Sequence, residues 1–226
     1  MKSLGARAQG LRLERMQASA QWRHGGFRNL APIRPGLRDP AAKMPTLAEF
    51  VCGGTRRVPA APLPALDPRG HWLQPPASGL RATWIGHSTV LVEIDGARLL
   101  TDPVWGRRAS PSQLAGPKRF QPAAVPLTAL PPLDAVLISH DHYDHLDMAT
   151  VKRLVRSQSA PFAVPLGIGG HLRRWGVPEH RIIELDWDET CTLGELVLTL
   201  TSAHHFSGRG LARNTTLWGS WVIAGP

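Results

Sequence analysis

Short apolar runs separated by turn residues make up the hydrophobic pattern of this chain. The stretch 82–94, ATWIGHSTVLVEI, is rich in β-branched and apolar residues and predicts a strand. Asp95-Gly96 follows it, and a second apolar run at 97–101 comes next, which is the strongest short signal for a β-hairpin. Residues 134–139, DAVLIS, are a nearly continuous apolar run, which is typical of a strand buried on both faces.

Strands and helices alternate along the rest of the chain. A long loop with seven prolines separates the hairpin from the buried strand, over residues 103–132. Beyond the buried strand, the pattern predicts helices over 148–157 and 170–175 and strands over 162–165, 181–185, 196–201 and 216–224. This alternation indicates an α/β layered fold.

The first part of the chain differs from the rest in charge and in backbone chemistry. The 226 residues carry a formal net charge of +9, and residues 1–80 hold 12 Lys and Arg against 4 Asp and Glu. We expect a short helix over 4–16. Because proline restricts the backbone and removes a hydrogen-bond donor, we expect little further order before Trp72. We therefore predict a basic, Pro/Gly-rich extension over 1–71, poorly ordered over 1–30, and one domain over 72–226.

Composition excludes several classes of protein. With 42% hydrophobic and 19% charged residues, the chain is not disordered throughout. No apolar run approaches the roughly 18 residues of a membrane span, and the first 25 residues lack a secretory signal, so we expect a cytoplasmic protein. The basic leader favours peripheral contact with an anionic membrane surface. Cys52 and Cys191 form no Cys-x-x-Cys pair, which excludes a thiolate zinc knuckle.

Three histidines and two aspartates fall within six positions directly after the buried strand, as HDHYDH at 140–145. In an extended chain, side chains two positions apart leave the same face, so His140 and His142 can bind one metal together. Asp144 and His145 follow where the chain turns towards a helix, and they can reach a second metal. Imidazole and carboxylate ligands without thiolate suit zinc, with iron and manganese as alternatives.

A second histidine pair, His204-His205, follows the strand over 196–201. Adjacent side chains on a strand point to opposite faces, so at most one of this pair joins the same metal. The His-x-His-x-Asp-His motif after an apolar strand resembles the metallo-β-lactamase superfamily of metal hydrolases. Further stretches resemble N-acyl-phosphatidylethanolamine-hydrolysing phospholipase D and its bacterial relatives: WIGHSTVLVEIDG (84–96), LLTDPVWGRRASPSQLAGPKRF (99–120), LDAVLISHDHYDHLD (133–147), IIELDWDE (182–189), LWGSWVIAGP (217–226) and, faintly, GGFRNLAP (25–32).

This resemblance implies a fold and a set of site residues. The fold is a four-layer αββα sandwich of metallo-β-lactamase type, of which mainly the first half is present, so the domain is expected to be incomplete at its C-terminus. His205 joins the two histidines of the first metal, while Asp144 and His145 bind the second metal and act in catalysis. Asp102 orients a ligand histidine. His87 matches the family's sequence, but the resemblance assigns it no role, and packing of that loop into the core is at least as good an interpretation. His204 stands where the family has glutamine.

The resemblance also implies an activity. Two metals bridged by a hydroxide would hydrolyse a phosphodiester in a lipid, releasing an N-acylethanolamine and phosphatidic acid. The family's bridging aspartate and a later histidine would lie beyond Pro226, so we expect about one tightly bound metal and impaired activity in this chain. Alternative functions are a sugar-phosphate lactonase, a nuclease or a non-catalytic fragment. The expected partner is a phospholipid or other phosphodiester substrate rather than nucleic acid, with a homodimer as an option.

Overall fold

A computed structural model describes residues 2–32 and 58–226 of the chain. Its helices are α1 Leu11–Ala18, α2 Met148–Ser157 and α3 Ile168–Arg174. Its strands are β1 Trp22–Arg23, β2 Gly26–Phe27, β3 Leu80–Gly86, β4 Thr89–Ile94, β5 Ala97–Thr101, β6 Ala135–Leu137, β7 Phe162–Pro165, β8 Ile182–Leu185, β9 Thr190–Leu193, β10 Leu196–Thr201 and β11 Ser220–Ala224.

The larger sheet has the strand order β3-β4-β5-β6-β7-β8. Strands β3, β4 and β5 pair antiparallel, whereas β5 to β8 pair parallel. The hairpin predicted at Asp95-Gly96 is confirmed, and both residues have positive φ (46° and 84°), as a two-residue type I′ turn requires. The buried strand predicted over 134–139 is confirmed as β6, whose three residues are all buried.

The stretch 82–94 is two strands rather than the single strand predicted. The chain turns at His87-Ser88, and the register between β3 and β4 shifts between Trp84 and Gly86. Gly86 and His87 both have positive φ (148° and 51°), which ends the extended conformation. The apolar pattern continues through this turn, so it did not reveal the break.

Helices α2 and α3 cover one face of the larger sheet, where Val151, Leu154 and Leu172 are fully buried against β6 and β7. The helix predicted over 148–157 is confirmed with the same bounds, and Asp147 caps it by accepting hydrogen bonds from the N–H groups of Ala149 and Thr150. The second helix begins at Ile168, two residues before the predicted start, and ends one residue before the predicted end.

The opposite face of the larger sheet packs against a three-stranded sheet of order β11-β10-β9. Leu99 and Leu137 on one sheet meet Leu196 and Leu198 on the other, and all four are buried. Strand β9 was not predicted, and β11 is shorter than the predicted 216–224, because residues 216–218 pack into the core outside the strand. Helices, the larger sheet and the smaller sheet therefore form three successive layers.

The N-terminal segment, residues 2–32, packs against the rest of the protein. Met16 and Phe27 are buried in one cluster with Leu166, Leu217 and Trp218. The prediction of poor order over residues 1–30 is therefore wrong for the residues described there. Residues 33–57, including Cys52, lie outside the described residues. Within the described ranges, no helix has both the length and the hydrophobicity to cross a bilayer.

Candidate metal centre

The HDHYDH segment lies at the carboxyl end of β6, between that strand and α2. Asp102 occupies the equivalent place at the end of the neighbouring parallel strand β5, and its backbone N–H donates to the carbonyl of Leu137. The carboxyl ends of parallel strands meet at one edge of a sheet, which is where α/β proteins bind ligands. The smaller sheet brings His205 to the same edge, just after β10.

The first cluster consists of His140, His142 and His205. One ligand atom from each lies within 4.8 Å of the others, and the Nε2 atoms of His140 and His205 are 3.1 Å apart. The three rings contact one another edge-on, with centroids 4.3–5.2 Å apart. Three imidazoles that converge in this way form a suitable protein ligand set for a zinc ion.

The surroundings of the first cluster keep its histidines neutral. Burial, followed by the neighbouring imidazoles, lowers the pKa of His140 to about 2. The pKa values of His142 and His205 are also lowered, chiefly by burial. Because metals bind neutral imidazole, these shifts favour the ligating form near neutral pH.

The second cluster consists of His87, Asp144 and His145, whose ligand atoms also lie within 4.8 Å of one another. Oδ2 of Asp144 is 3.0 Å from Nε2 of His87 and 3.8 Å from Nε2 of His145. Burial would raise the pKa of Asp144, but the neighbouring His145 and His87 outweigh it and lower that pKa, so the carboxylate stays ionised. The two clusters adjoin, because the rings of His140 and His145 are 4.0 Å apart.

Asp102 and Ser139 orient two histidines, one from each cluster. Oδ2 of Asp102 lies 2.9 Å from Nδ1 of His145 and accepts a hydrogen bond from the hydroxyl of Ser139 at 2.7 Å. Since that hydroxyl has donated its proton, it accepts from Nδ1 of His140, 2.9 Å away. Both histidines then carry their proton on Nδ1, which leaves Nε2 free to bind a metal. Burial opposes the charge on His145, but its hydrogen bond to Asp102 and the charges of Asp102 and Asp144 raise its pKa.

Asp141 lies between His140 and His142 in sequence and points away from both clusters. It is fully buried and accepts hydrogen bonds from the N–H of Gly208 and from His171, whose Nδ1 accepts from the N–H of Ala6. Burial would raise the pKa of Asp141, but His171, the Gly208 N–H and Arg209 outweigh it and lower it. Arg209, also buried, donates to the backbone carbonyls of Asp141 and Leu146 and so fixes both ends of the HDHYDH segment.

Asn29 holds His205 in place from the N-terminal segment. Its amide nitrogen donates to the carbonyl of His205 (2.7 Å), and its oxygen accepts from the N–H of the same residue (3.1 Å). The indole N–H of Trp218 also donates to that oxygen, at 3.2 Å. Sequence reasoning missed this residue, although Asn29 lies in the stretch 25–32, which carries the faint family resemblance.

A cavity of about 840 Å³ adjoins the second cluster. His87 and Asp144 line it, together with mainly apolar side chains that include Leu66, Trp84 and Phe120. Arg119 lies in the same wall and donates to the carbonyl of Val104. Cavities of this size and character are typical of small-molecule binding sites.

The structure brings together all the residues predicted as metal ligands: His140, His142, Asp144, His145 and His205. Asp102 contacts His145, the kind of contact expected of it. His204 is exposed and belongs to neither cluster. His87, to which the sequence assigned no role, belongs to the second.

The sequence is similar to one family model and to three known proteins that we describe here. A family model described as the beta-lactamase superfamily domain matches residues 97–226. An uncharacterised protein of Mycobacterium tuberculosis is 50% identical over 224 residues, which are 99% of this chain and 59% of that protein. N-acyl-phosphatidylethanolamine-hydrolyzing phospholipase D 1 of Caenorhabditis elegans is 41% identical over 157 residues, covering 66% of this chain and 44% of that enzyme. The mitochondrial enzyme of the same name from Saccharomyces cerevisiae is 33% identical over 146 residues, 62% of this chain and 31% of that enzyme. This chain therefore spans less than two thirds of the length of each relative.

Proposed function

The chain belongs to the beta-lactamase superfamily, and on this premise we propose that it is a metal-dependent hydrolase that cleaves a phosphodiester bond in an N-acylated phospholipid. The observation that carries the proposal is the pair of adjoining clusters beside a largely apolar cavity. The names of the C. elegans and S. cerevisiae relatives support the same substrate.

The donor atoms of both clusters fit divalent transition metals, with zinc as the proposed ion and iron or manganese as alternatives. His140, His142 and His205 would hold one ion, and Asp144 and His145 would contribute to a second. When bound, such ions lower the pKa of water and polarise a phosphoryl oxygen. Asp102 and Ser139 hold the protons of His140 and His145 on Nδ1, so that the Nε2 atoms are free to bind the ions.

The cavity favours a substrate with an apolar chain and an anionic group. Leu66, Trp84 and Phe120 offer apolar surface, which an acyl chain would cover. Arg119 is half-buried, makes no ion pair among the described residues, and lies against Gly86 beside the second cluster. Burial lowers the pKa of its guanidinium, yet arginine stays protonated near neutral pH, so it would attract a phosphate group.

The test is a substrate panel offered to the purified, zinc-reloaded chain. We expect turnover of an N-acyl-phosphatidylethanolamine in mixed micelles, and none of DNA, RNA or a sugar-phosphate lactone. The double substitution His140→Ala plus His142→Ala should remove metal from the first cluster and abolish turnover. The exposed histidines His180 and His204 provide a matched control, because replacing both with alanine leaves the two clusters intact.

Other outcomes would contradict the proposal in distinct ways. Hydrolysis of nucleic acid or of the lactone, without the phospholipid, would keep the metal chemistry but change the substrate. Folded protein that retains no metal after reloading would contradict the metal-dependent mechanism itself.

A further inference from the structure

His87 is 53 residues before the HDHYDH segment in sequence, yet its imidazole completes the second cluster. Among the described residues, it adds a third possible ligand group to those of Asp144 and His145. The side chains of His87 and Asp144 are 52% and 41% exposed, so both are open to the cavity they line.

The turn that carries His87 is fixed on both sides. The indole N–H of Trp84 donates to the backbone carbonyl of His87 at 2.7 Å. The hydroxyl of Ser88 donates to the backbone carbonyl of Asp144 at 3.0 Å, which ties the turn directly to the ligand segment. The position of the imidazole relative to Asp144 is therefore set by the backbone as well as by the side-chain contact.

The backbone of this turn also holds His87 in an uncommon conformation. His87 has a φ of 51°, in the left-handed region that few non-glycine residues occupy. The register between β3 and β4 shifts just before it, and a Cβ on Gly86 would lie 2.9 Å from the guanidinium of Arg119. A non-glycine residue in the left-handed region persists only where the surrounding structure enforces it, and such residues cluster at binding sites.

An ordinary surface ion pair would not account for this arrangement. Exposed ion pairs contribute little to the free energy of unfolding. A contact between His87 and Asp144 alone would therefore not offset the cost of the left-handed conformation of His87. A set of two imidazoles and one carboxylate, with positions left open for other ligands, is by contrast a known binding mode for divalent transition metals.

We propose that His87 is the third protein ligand of a second metal ion, held together with Asp144 and His145. This inference rests on the proposed function, because it requires that the HDHYDH segment binds metal. It changes the expectation for this chain from about one tightly bound ion to about two.

The test is the metal content of the full chain, loaded with cobalt(II) and freed of excess ion. We expect about two equivalents in the unchanged protein and about one in the variant His87→Asn. Asparagine tolerates the left-handed conformation, as Asn214 does in this chain at a φ of 59°, so the turn is retained while the imidazole is lost. The control His180→Asn removes an exposed histidine outside both clusters and should keep about two equivalents.

The visible absorption of bound cobalt gives a second measurement, since the bands of the second ion should disappear in His87→Asn while those of the first remain. Thermal unfolding of the metal-free proteins checks that the variant is folded. A content of about two equivalents in His87→Asn, or of about one in the unchanged chain, would overturn the role of His87 while leaving a metal-dependent hydrolase in place. No metal in the unchanged chain would overturn both proposals.

Discussion

At the scale of single residues, one hydroxyl connects the two clusters. Ser139 donates to Asp102 and accepts from His140, while Asp102 contacts His145. The backbone N–H of Ser139 donates to the other oxygen of Asp102 at 2.7 Å. One carboxylate therefore sets the protonated nitrogen of a histidine in each cluster, directly for His145 and through Ser139 for His140.

The substitution Asp102→Asn should weaken metal binding although it preserves shape. An amide nitrogen placed beside Nδ1 of His145 donates a hydrogen bond, so the ring shifts its own proton to Nε2, the atom needed for the metal. We expect metal affinity to fall by about 10-fold to 100-fold, measured by competition with a chelating dye. The control is Asp134→Asn, since Asp134 precedes the opposite end of β6 and accepts a backbone hydrogen bond from Arg98. Equal affinity in both variants would contradict the orienting role of Asp102.

At the scale of elements, the N-terminal segment is part of the candidate metal centre. Phe27 is buried beside Trp218, and Asn29 pairs with both backbone polar groups of His205. Arg12 on α1 forms an ion pair with Glu184, which itself accepts from the N–H groups of Gly167 and Gly169 at the start of α3. The segment thus connects the helical layer to the loop that carries His205.

The substitution Asn29→Ala should therefore affect both stability and metal binding. It leaves the N–H and carbonyl of His205 without their partner, at a cost of roughly 1–3 kcal/mol. We expect a lower free energy of unfolding in urea and weaker binding of the first metal ion. The neighbouring Arg28→Ala, at an exposed side chain, is the control and should change neither. If Asn29→Ala also leaves metal affinity unchanged, the segment contributes only to packing.

The sequence predicted the features that depend on residues close together in the chain, and it missed those that depend on contacts between distant residues. Helix α2, the Asp95-Gly96 hairpin and strand β6 depend on neighbouring residues, and each was found where it was expected. Strand β9 lacks a strong pattern of its own and is stabilised by pairing with β10. The HDHYDH segment was predicted to bind metal because five of its six positions are histidine or aspartate. His87 and Asn29 reach the same site only through the fold, so composition and spacing could not reveal them.

At the scale of the whole molecule, positive charge is concentrated at the N-terminal end. Residues 1–80 contribute most of the net charge of +9, and in the segment 2–32 the side chains of Arg7, Arg23 and Arg28 are exposed. Arg12 and Arg15 are engaged in ion pairs with Glu184 and Glu189. The three exposed arginines can therefore meet an anionic membrane surface without breaking a described contact. Such contact would bring the chain close to the phospholipid that we propose as its substrate.

We expect the chain to bind phosphatidylglycerol vesicles at low salt, and to bind neutral phosphatidylcholine vesicles much more weakly. The triple substitution of Arg7, Arg23 and Arg28 by glutamine should cost about 3 kcal/mol of binding, on the order of a hundredfold in affinity, since each basic residue near the surface contributes about 1 kcal/mol. A control with the same loss of charge replaces three exposed arginines elsewhere, Arg153, Arg156 and Arg174. Vesicle sedimentation at increasing salt compares the three proteins, and binding by the unchanged chain should weaken steeply because the interaction is electrostatic. Equal losses in the two triple variants would mean that net charge, and not the N-terminal segment, governs the contact.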